Sequence, residues 1–399
     1  MAESIHDGAG ATRVRPVSLR HIAPSYRTYA GGRSLTALGK ELDRAGSERV
    51  VLICGASMLK QDAELDMVQS AIGKRLAGRF SDTREHSPLT SVEAAARMLD
   101  EREADAVVVL GGGSAVVTAR AAVILSAEQR PVKELATRRE NGALVSVRLE
   151  APKITQWIVP STPTTAYAKA GAAVRDPETG ERFALFDPKA RAAGVFMHPT
   201  VAATAPGRLV RGSALNAFGM AVDGLQSGVD DPLAEAQLRH ALRMLRQWLP
   251  RIEDELDGEV GVRLMLAALL AGQASDHVGT GLAQPISHAL GPRSAVGNGV
   301  VEAMMLPHTM RFNLGRTDAG LAAVAEALDP AGNGSPESAI AAVMDVLRES
   351  GVPLRLRDVG VDRQSLDEVI QHVADDWSAT TVPRPAQHDE LHDLLTVAW

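Results

Sequence analysis

One stretch of the chain, residues 281–308, combines an imidazole with carboxamide side chains at helical spacing. It reads GLAQPISHALGPRSAVGNGVVEAMMLPH, with Gln284 one helical turn before His288 and Asn298 ten residues after it. An imidazole titrates near neutral pH, so His288 could act as a general acid. The alternative is a buried histidine whose ring bonds a neighbouring carbonyl. The carboxamides are weak metal ligands, but they can hydrogen-bond a neutral polar substrate.

A second chemical motif is the segment VVVLGGGSAVVTAR at residues 107–120. A buried apolar strand is predicted to run into Gly111, Gly112 and Gly113, with Ser114 opening a helix. Consecutive glycines let the backbone approach an anion closely, and the first amide groups of the helix point towards it. The motif therefore indicates phosphate binding, although a tight strand-to-helix turn without a ligand would look the same. Its spacing differs from the GxGxxG dinucleotide motif.

The elements that must position these residues divide the chain into two halves. Apolar runs at residues 49–55, 104–114 and 155–165 alternate with alanine-rich amphipathic segments at 34–46, 63–78 and 91–103. This alternation predicts an α/β domain with a parallel, Rossmann-like sheet covered on both faces. A β-hairpin is predicted within residues 172–199, around the turn DPETGE.

After about residue 199 the pattern becomes helical throughout, with apolar residues three and four positions apart. Segments at 209–228, 232–256, 261–279 and 335–350 fit this pattern, and the Asp-Pro pair at 231–232 is a helix-start signal. The predicted organisation is a flexible N-terminus at 1–14, an α/β dinucleotide-binding domain at 15–198 and an all-α domain at 199–399. The cleft between the two domains is the expected site.

Composition and charge exclude several classes of protein. The chain has 399 residues, of which 45% are hydrophobic and 23% charged, and its net charge is −7. These values fit a soluble globular protein and disfavour a nucleic-acid binder. The single cysteine, Cys54, excludes an internal disulfide and is predicted to be buried in RVVLICG. No signal peptide or membrane span is evident, so we expect a cytoplasmic protein without a membrane partner.

Taken together, several segments resemble the iron-containing alcohol dehydrogenases, a family that includes the maleylacetate reductases and is related to the dehydroquinate synthases. The resemblance extends from about residue 15 to the C-terminus. The segments that carry it are GGGS at 111–114, PSTPTTA at 160–166, SALNAFGMAVDGL at 213–225, GLAQPISHALGP at 281–292, GNGVVEAMMLPHTMRFN at 297–313 and VPRPAQHDELHDLLTVAW at 382–399.

The resemblance implies a dehydroquinate synthase-like fold, NAD(P)H in the cleft, and hydride transfer between the nicotinamide and a small carbonyl or alcohol. It also implies a homodimer. Carried over by position, Gly111, Gly112, Gly113 and Ser114 would hold the pyrophosphate, and Thr164 and Thr165 would line the same channel. The family's histidine at the position of His288 is associated with proton relay, which favours the general-acid interpretation.

The metal ligands of the family are replaced in this chain. In the family they are an aspartate and a histidine four residues apart, followed by two histidines fourteen apart. The corresponding residues here are Asn216, Met220, Gln284 and Asn298. Iron and zinc take imidazole and carboxylate donors, which none of these side chains supplies. We therefore predict no metal and a polar substrate pocket, with the asparagine at the first position resembling the maleylacetate reductase branch.

The cofactor side also departs from the family. After PTTA, the family's glycine/serine/glutamate segment is replaced by YAKAG, which places Tyr167 and Lys169 where the nicotinamide ribose would lie. We expect both side chains to line the pocket. Gly55 ends the first apolar run where an acidic residue would hold the adenosine ribose of NAD. Without that carboxylate NADP is not repelled, so NAD and NADP both remain open.

Three further polar residues lie in the helical half. Arg293 follows Gly-Pro in the loop after His288, and its guanidinium could bind a substrate carboxylate in place of the missing metal charge. His277 and His308 could face the cleft, but both are expected to be mainly structural.

Two functions follow, and they belong to different classes. The first is a metal-independent NAD(P)H-dependent reductase of a small aldehyde, ketone or unsaturated keto acid, with His288 as proton donor. The second is a non-redox lyase, cyclase or isomerase of specialised metabolism on the same fold, which would explain the loss of metal ligands. A non-catalytic binding subunit is a third alternative, because a fold alone does not define a function.

Overall fold

The computed structural model describes residues 19–140, 143–252 and 257–399, so the N-terminus at 1–14 lies outside the described residues. The strands are β1 Arg27–Ala30, β2 Val50–Gly55, β3 Leu76–Thr83, β4 Ala106–Gly111, β5 Arg138–Glu140, β6 Ala143–Val145, β7 Thr155–Pro160, β8 Gly171–Arg175, β9 Arg182–Phe186 and β10 Gly194–Met197. The helices are α1 Ser34–Arg44, α2 Asp62–Ile72, α3 Leu89–Glu101, α4 Gly113–Glu128, α5 Val132–Leu135, α6 Pro199–Ala202, α7 Gly207–Leu225, α8 Pro232–Trp248, α9 Gly258–Val278, α10 Ala283–Leu290, α11 Asn298–Asn313, α12 Asp318–Leu328, α13 Pro336–Glu349, α14 Leu366–Asp375 and α15 His388–Ala398.

Six strands form one parallel sheet in the order β1-β10-β7-β4-β2-β3. Successive side chains of β2 belong to two separate hydrophobic cores on opposite faces of the sheet, because side chains alternate in direction along a strand. Val51 and Ile53 pack with α3 and α4, whereas Leu52 and Cys54 pack with α1 and α2. The sheet is therefore covered on both faces, and the prediction of a buried parallel sheet is confirmed. Cys54 is fully buried, as predicted.

The strand order creates a crevice at the carboxyl edge of the sheet. The chain leaves β2 through α2 to reach β3, and it leaves β4 through α4 to reach β7 on the opposite side. Ligands of open α/β sheets bind where the connections diverge in this way. The glycine turn follows β4, and Gly111 pairs directly with Pro160 of β7. Both predicted cofactor segments thus begin at this edge.

The described residues after β10 form helices and no further strands. Helices α7 and α11 approach each other closely, because a Cβ atom added to Gly299 would lie 2.0 Å from the carbonyl oxygen of Gly212. Helix α8 begins after Asp231, whose carboxylate accepts from the amides of Leu233 and Ala234. The predicted helix-start signal is therefore confirmed.

Some elements differ from the sequence prediction. Residues 63–78 were expected to form one helix, but α2 ends at Ile72 and β3 begins at Leu76, with Gly73 at φ +65° between them. The predicted hairpin is present as β8 and β9, which pair in antiparallel register. The change from sheet to helices falls between Met197 and Pro199. Within the described ranges, no helix combines the length and apolarity that crossing a membrane requires.

Candidate active site

The glycine turn packs against the turn that follows β7. A Cβ atom on Gly112 would lie 3.0 Å from Oγ1 of Thr162, and one on Gly113 would lie 3.0 Å from Oγ1 of Thr164. Gly112 is the N-cap of α4 and has no side chain, so it cannot cap the first amides of that helix. These amides are available for an anion. Thr162 was not singled out from the sequence, because its contact with Gly112 depends on the pairing of β4 with β7.

The segment after this turn, Thr165–Gly171, is held by side chains from outside it. Four of its carbonyl groups accept hydrogen bonds from these side chains: Gly171 (2.8 Å) and Ala166 (2.6 Å) from Arg120, Tyr167 (2.9 Å) from Tyr26, and Ala168 from Arg191. Burial lowers the pKa of Arg120 to about 10, so its guanidinium stays charged at neutral pH. The backbone of the segment is therefore fixed, and the direction of its side chains with it.

Tyr167 does not occupy the pocket-lining position predicted from the sequence. Its side chain is fully buried, and its hydroxyl group donates to the carbonyl oxygen of Met265 in α9 at 2.5 Å. Because that donor is used and the ring is enclosed, Tyr167 anchors the segment to the helical half. Thr165 in the same segment is also buried.

Lys169 interacts electrostatically with acidic side chains of two helices. Burial lowers the pKa of Lys169, and the carboxylates of Asp276 and Glu302 counteract that effect by attraction. Asp276 in α9 also pairs with Arg191 at 2.8 Å. The Lys169 ammonium therefore brings a positive charge towards α11, the helix on which one of the replaced metal positions lies.

The four positions that hold metal in the family lie on α7, α10 and α11, which pack against one another. Asn216 donates its Nδ2 hydrogen to Oε2 of Glu302 at 2.5 Å, and Met220 accepts from the hydroxyl of Ser275 at 3.9 Å. Gln284 is buried and Asn298 is half-buried. Amide and thioether groups, two of them already hydrogen-bonded within the protein, do not fit the donor set of an iron site.

Two buried carboxyl groups adjoin these positions, and the sequence reasoning missed both. Glu302 lies one turn after Asn298 on α11, and Asp223 lies one turn after Met220 on α7. Burial raises the pKa of Glu302 to about 8, with repulsion from Asp223 adding to the effect. Burial likewise raises the pKa of Asp223 to about 7, although the amide of Gly281 donates to it. Each of the two residues lies one helical turn from a replaced metal-ligand position, and this spacing is the sequence signal that could have identified them.

Both groups keep one oxygen without a hydrogen-bond partner in the part of the chain that the structure describes. These are Oε1 of Glu302 and Oδ1 of Asp223, and Oε1 of Gln284 is a third such atom. An unpartnered buried acceptor costs free energy, so the site is poorly satisfied without a ligand, a proton or water.

Replacing Glu302 with glutamine should stabilise the protein at neutral and higher pH. The folded carboxyl keeps its proton up to a pH of about 8, whereas the unfolded one loses it above about 4.5. The Glu302 carboxyl therefore contributes fully to the stability of the folded protein below the unfolded-state pKa of about 4.5. This contribution is lost as the pH rises through the folded-state pKa of about 8. Glutamine can still accept from Asn216, so we expect E302Q to gain on the order of 3 kcal/mol at the high-pH end.

Denaturant unfolding across that pH window measures this effect. Asp223→Asn is the matched comparison, with a smaller gain over the window that ends near pH 7. An E302Q protein whose stability falls with pH as steeply as that of the wild type would contradict the assignment of a buried protonated carboxyl.

His288 is held by a carboxylate from the C-terminal part of the chain. Its Nδ1 lies 2.8 Å from Oδ2 of Asp376, and both side chains are largely buried. Burial alone would raise the pKa of Asp376, but hydrogen bonds from His288 and Ser378 hold it below its usual range. The ionised carboxylate can only accept, so Nδ1 of His288 donates, and Nε2 is left as the atom that can exchange a proton. Asp376 was not predicted.

Arg293 does not point into the site as predicted. Its guanidinium donates to the carbonyl oxygen of Ala289 in its own helical turn at 2.7 Å and lies 3.5 Å from Glu368. These contacts cap the C-terminal end of α10, where cations are favoured by the helix dipole. The role of a substrate clamp is therefore not supported for Arg293.

The doubly covered parallel sheet, the glycine turn at its carboxyl edge and the adjoining helical half define an α/β enzyme of the nucleotide-dependent dehydrogenase type. Two family models match the chain: "Iron-containing alcohol dehydrogenase" over residues 24–199, and "Fe-containing alcohol dehydrogenase family, C-terminal" over residues 212–399. The chain belongs to the iron-containing alcohol dehydrogenase family. The predicted resemblance, including its maleylacetate reductase-like branch, is confirmed.

Curated relatives and solved structures agree with this family. Maleylacetate reductase 1 of Cupriavidus pinatubonensis is 26% identical over 394 residues, which are 97% of this chain and 98% of that protein. The alcohol dehydrogenase from Oenococcus oeni has the same fold, with a TM-score of 0.86, 19% identity, and coverage of 96% of this chain and 100% of that one. The sulfoacetaldehyde reductase from Bifidobacterium kashiwanohense, solved in complex with NAD+, has a TM-score of 0.83, 15% identity, and coverage of 96% and 99%. The prediction of an oxidoreductase-class enzyme is confirmed at the level of the family.

Proposed function

We propose that the protein is an NAD(P)H-dependent reductase of a small carbonyl substrate and that it works without a catalytic metal. The observation that carries the proposal is the pairing of His288 with Asp376, 2.8 Å apart beside the replaced metal positions. When the ring carries a proton on both nitrogens, the carboxylate holds Nδ1–H and the proton on Nε2 is directed to the alkoxide that hydride delivery creates, which leaves a neutral imidazole. Nicotinamide supplies the hydride when bound.

Cofactor binding, proton donation, charge stabilisation and substrate binding are assigned to different residues of the chain. Gly111, Gly112, Gly113 and Ser114 bind the pyrophosphate with Thr164 beside them, whereas Thr165 is buried against Gly272 of α9. Either NAD or NADP is accepted, because Gly55 brings no acidic side chain to the end of β2. His288 gives a proton from Nε2 to the substrate oxygen. Lys169 supplies positive charge near that oxygen, as the metal ion does in metal-containing members. Asn216, Gln284 and Asn298 hydrogen-bond the polar groups of the substrate.

A second candidate is a proton-transfer enzyme, such as a lyase, cyclase or isomerase of specialised metabolism. Lys169 favours it, because burial lowers the pKa of its ammonium, which is the direction that a proton-transferring lysine requires. In that case a bound nucleotide would serve only as a structural group.

Nucleotide titration followed by turnover assays tests the proposal. We expect NADH or NADPH to bind at one equivalent per chain and to be consumed with at least one carbonyl from a panel containing maleylacetate, sulfoacetaldehyde and simple aldehydes. Elemental analysis of the chelator-treated protein should give less than one metal ion per chain, and its turnover should persist. Failure to bind either nucleotide would overturn the proposal, and iron or zinc needed at stoichiometric amounts for turnover would overturn its metal-free part. Isotope exchange from solvent into a substrate without nucleotide consumption would support the second candidate.

The domain boundaries at 1–14, 15–198 and 199–399 are part of this proposal, as are a homodimeric assembly and a cytoplasmic location. Size-exclusion chromatography with light scattering would test the dimer.

A further inference from the structure

A cluster of two histidines and an aspartate lies outside the candidate active site. His21 comes from the segment before β1, Asp231 from the start of α8, and His277 from the last turn of α9. One potential ligand atom from each of the three lies within 4.8 Å of the other two. These residues are not neighbours in the sequence, so the fold alone brings them together.

The carboxylate of this cluster has a fixed orientation. Asp231 is buried, and its Oδ1 accepts from the amides of Leu233 and Ala234, each at 3.0 Å. Its Oδ2 faces Nδ1 of His21 at 2.7 Å. Hydrogen bonds that orient a ligating carboxylate are a regular feature of protein metal sites. The helix cap therefore serves a second purpose, because it aims one oxygen of Asp231 at the histidines.

The two imidazoles lie side by side. The rings of His21 and His277 stack, with centroids 3.9 Å apart and planes inclined by 20°. Around a tetrahedral zinc ion with bonds of about 2.1 Å, neighbouring ligand atoms are roughly 3.4 Å apart. Nδ1 of His21 and Oδ2 of Asp231, now 2.7 Å apart, must separate by about 0.7 Å, while distances at the 4.8 Å limit of the cluster must close by about 1.4 Å with ring rotation. His21 lies in a segment without regular secondary structure, so it can make this adjustment.

We propose that His21, Asp231 and His277 form a binding site for a borderline divalent cation, with zinc as the preferred ion. Two imidazoles and one carboxylate are the donors that zinc takes, and a water molecule completes the tetrahedron. When Nδ1 of His21 becomes a ligand, the proton it shares with Asp231 leaves to Nε2 or to solvent, and the cation takes its place. The oxygens of Asp231 are hard donors, but two imidazoles disfavour magnesium and calcium.

The site is separate from the replaced family metal positions, although the last turn of α9 connects the two. Ser275 in that turn donates to Met220, Asp276 pairs with Arg191, and His277 belongs to the cluster. A cation held at the cluster ties the segment before β1 to α8 and α9 in the helical half. Its function is structural, since the hydride and proton transfers need nothing from it.

Zinc titration of chelator-treated, full-length protein tests the site, with calorimetry and thermal unfolding as readouts. We expect one equivalent of zinc to bind the wild type and to raise its melting temperature. His21→Gln, His277→Gln and Asp231→Asn should each lower the zinc affinity by about 100-fold or more and abolish the zinc-dependent stabilisation. Asparagine still caps a helix, so Asp231→Asn removes the ligand charge while keeping the fold.

Two controls separate this site from other histidines and from the candidate active site. His372→Gln changes an exposed histidine of α14 whose ring bonds the carbonyl of Glu368, and Gln284→Ala changes a replaced family ligand position. Both should bind zinc as the wild type does. Absence of stoichiometric zinc binding would overturn the proposal, as would full zinc affinity in His21→Gln, which leaves α8 and α9 unchanged and therefore folds even if His277→Gln does not.

Discussion

Replacing His288 with glutamine is expected to lower kcat of the proposed reductase by about 10²- to 10⁴-fold, the usual contribution of a positioned general acid. Glutamine keeps a polar group in contact with Asp376 but cannot release a proton to the alkoxide. Nucleotide affinity and KM should change little, because His288 acts after the substrate is bound. Steady-state oxidation of NADH or NADPH with the best substrate of the panel, together with nucleotide titration, measures both effects.

Asp376→Asn tests whether the carboxylate positions the imidazole. Asparagine can donate as well as accept, so the tautomer with hydrogen on Nδ1 is no longer enforced. We expect a lower kcat at nearly unchanged KM, and partial recovery in Asp376→Glu. His372→Gln changes an exposed histidine one turn before Asp376 whose ring bonds the carbonyl of Glu368; it is the matched control and should match the wild type. If H288Q retained wild-type kcat, His288 would be a structural histidine, the alternative that the sequence left open.

Substitution of Gly112 by valine is expected to weaken nucleotide binding by about 100-fold, which corresponds to about 2.7 kcal/mol. A Cβ atom at this position lies 3.0 Å from Oγ1 and 3.5 Å from Cγ2 of Thr162 before any branching methyl is added. The turn after β7 must then move away, and the methyl groups occupy the space through which a phosphate would approach the amides of α4. Titration with NADH and NADPH measures the loss.

The fold itself should survive this change. Gly112 has φ −87°, a conformation open to valine, so the effect arises from the close approach and not from backbone strain. Gly32→Ala is the matched control, because a Cβ atom there meets nothing within 4 Å. Equal nucleotide affinity in G112V and the wild type, with unchanged circular dichroism, would show that the phosphate does not bind at this turn.

The buried centre of the sheet was predictable from the sequence, whereas its edges were not. β2 and β4 are covered on both faces and form continuous apolar runs, and β7 contains the apolar run 157–160, which is why their pattern is clear. β3 is an edge strand with mostly half-exposed side chains, and the helical pattern of the sequence continues into its first residues. β1 is the opposite edge, only four residues long and largely exposed. Such strands are specified by their neighbours more than by their own residues.

The site was predictable to the extent that it follows from local segments. The glycine turn and the positions of the replaced metal ligands could be located, because each lies within a short motif. The bonds from His288 to Asp376 and from Asn216 to Glu302 join residues 88 and 86 positions apart, so no local pattern indicated them. The directions of Tyr167 and Arg293 depend on which carbonyl groups lie within reach, which is known only once α9 and α10 are packed.

The close contact of α7 with α11 bears on which amino-acid substitutions the site can accept during evolution. Gly212 and Gly299 bring the main chains of α7 and α11 together one turn from Asn216 and next to Asn298. This main-chain contact does not depend on the side chains at the four ligand positions. In such a scaffold the residues that hold the helices together differ from the residues that do the chemistry. The same four positions are therefore open to reactions in which a bound ion takes no part.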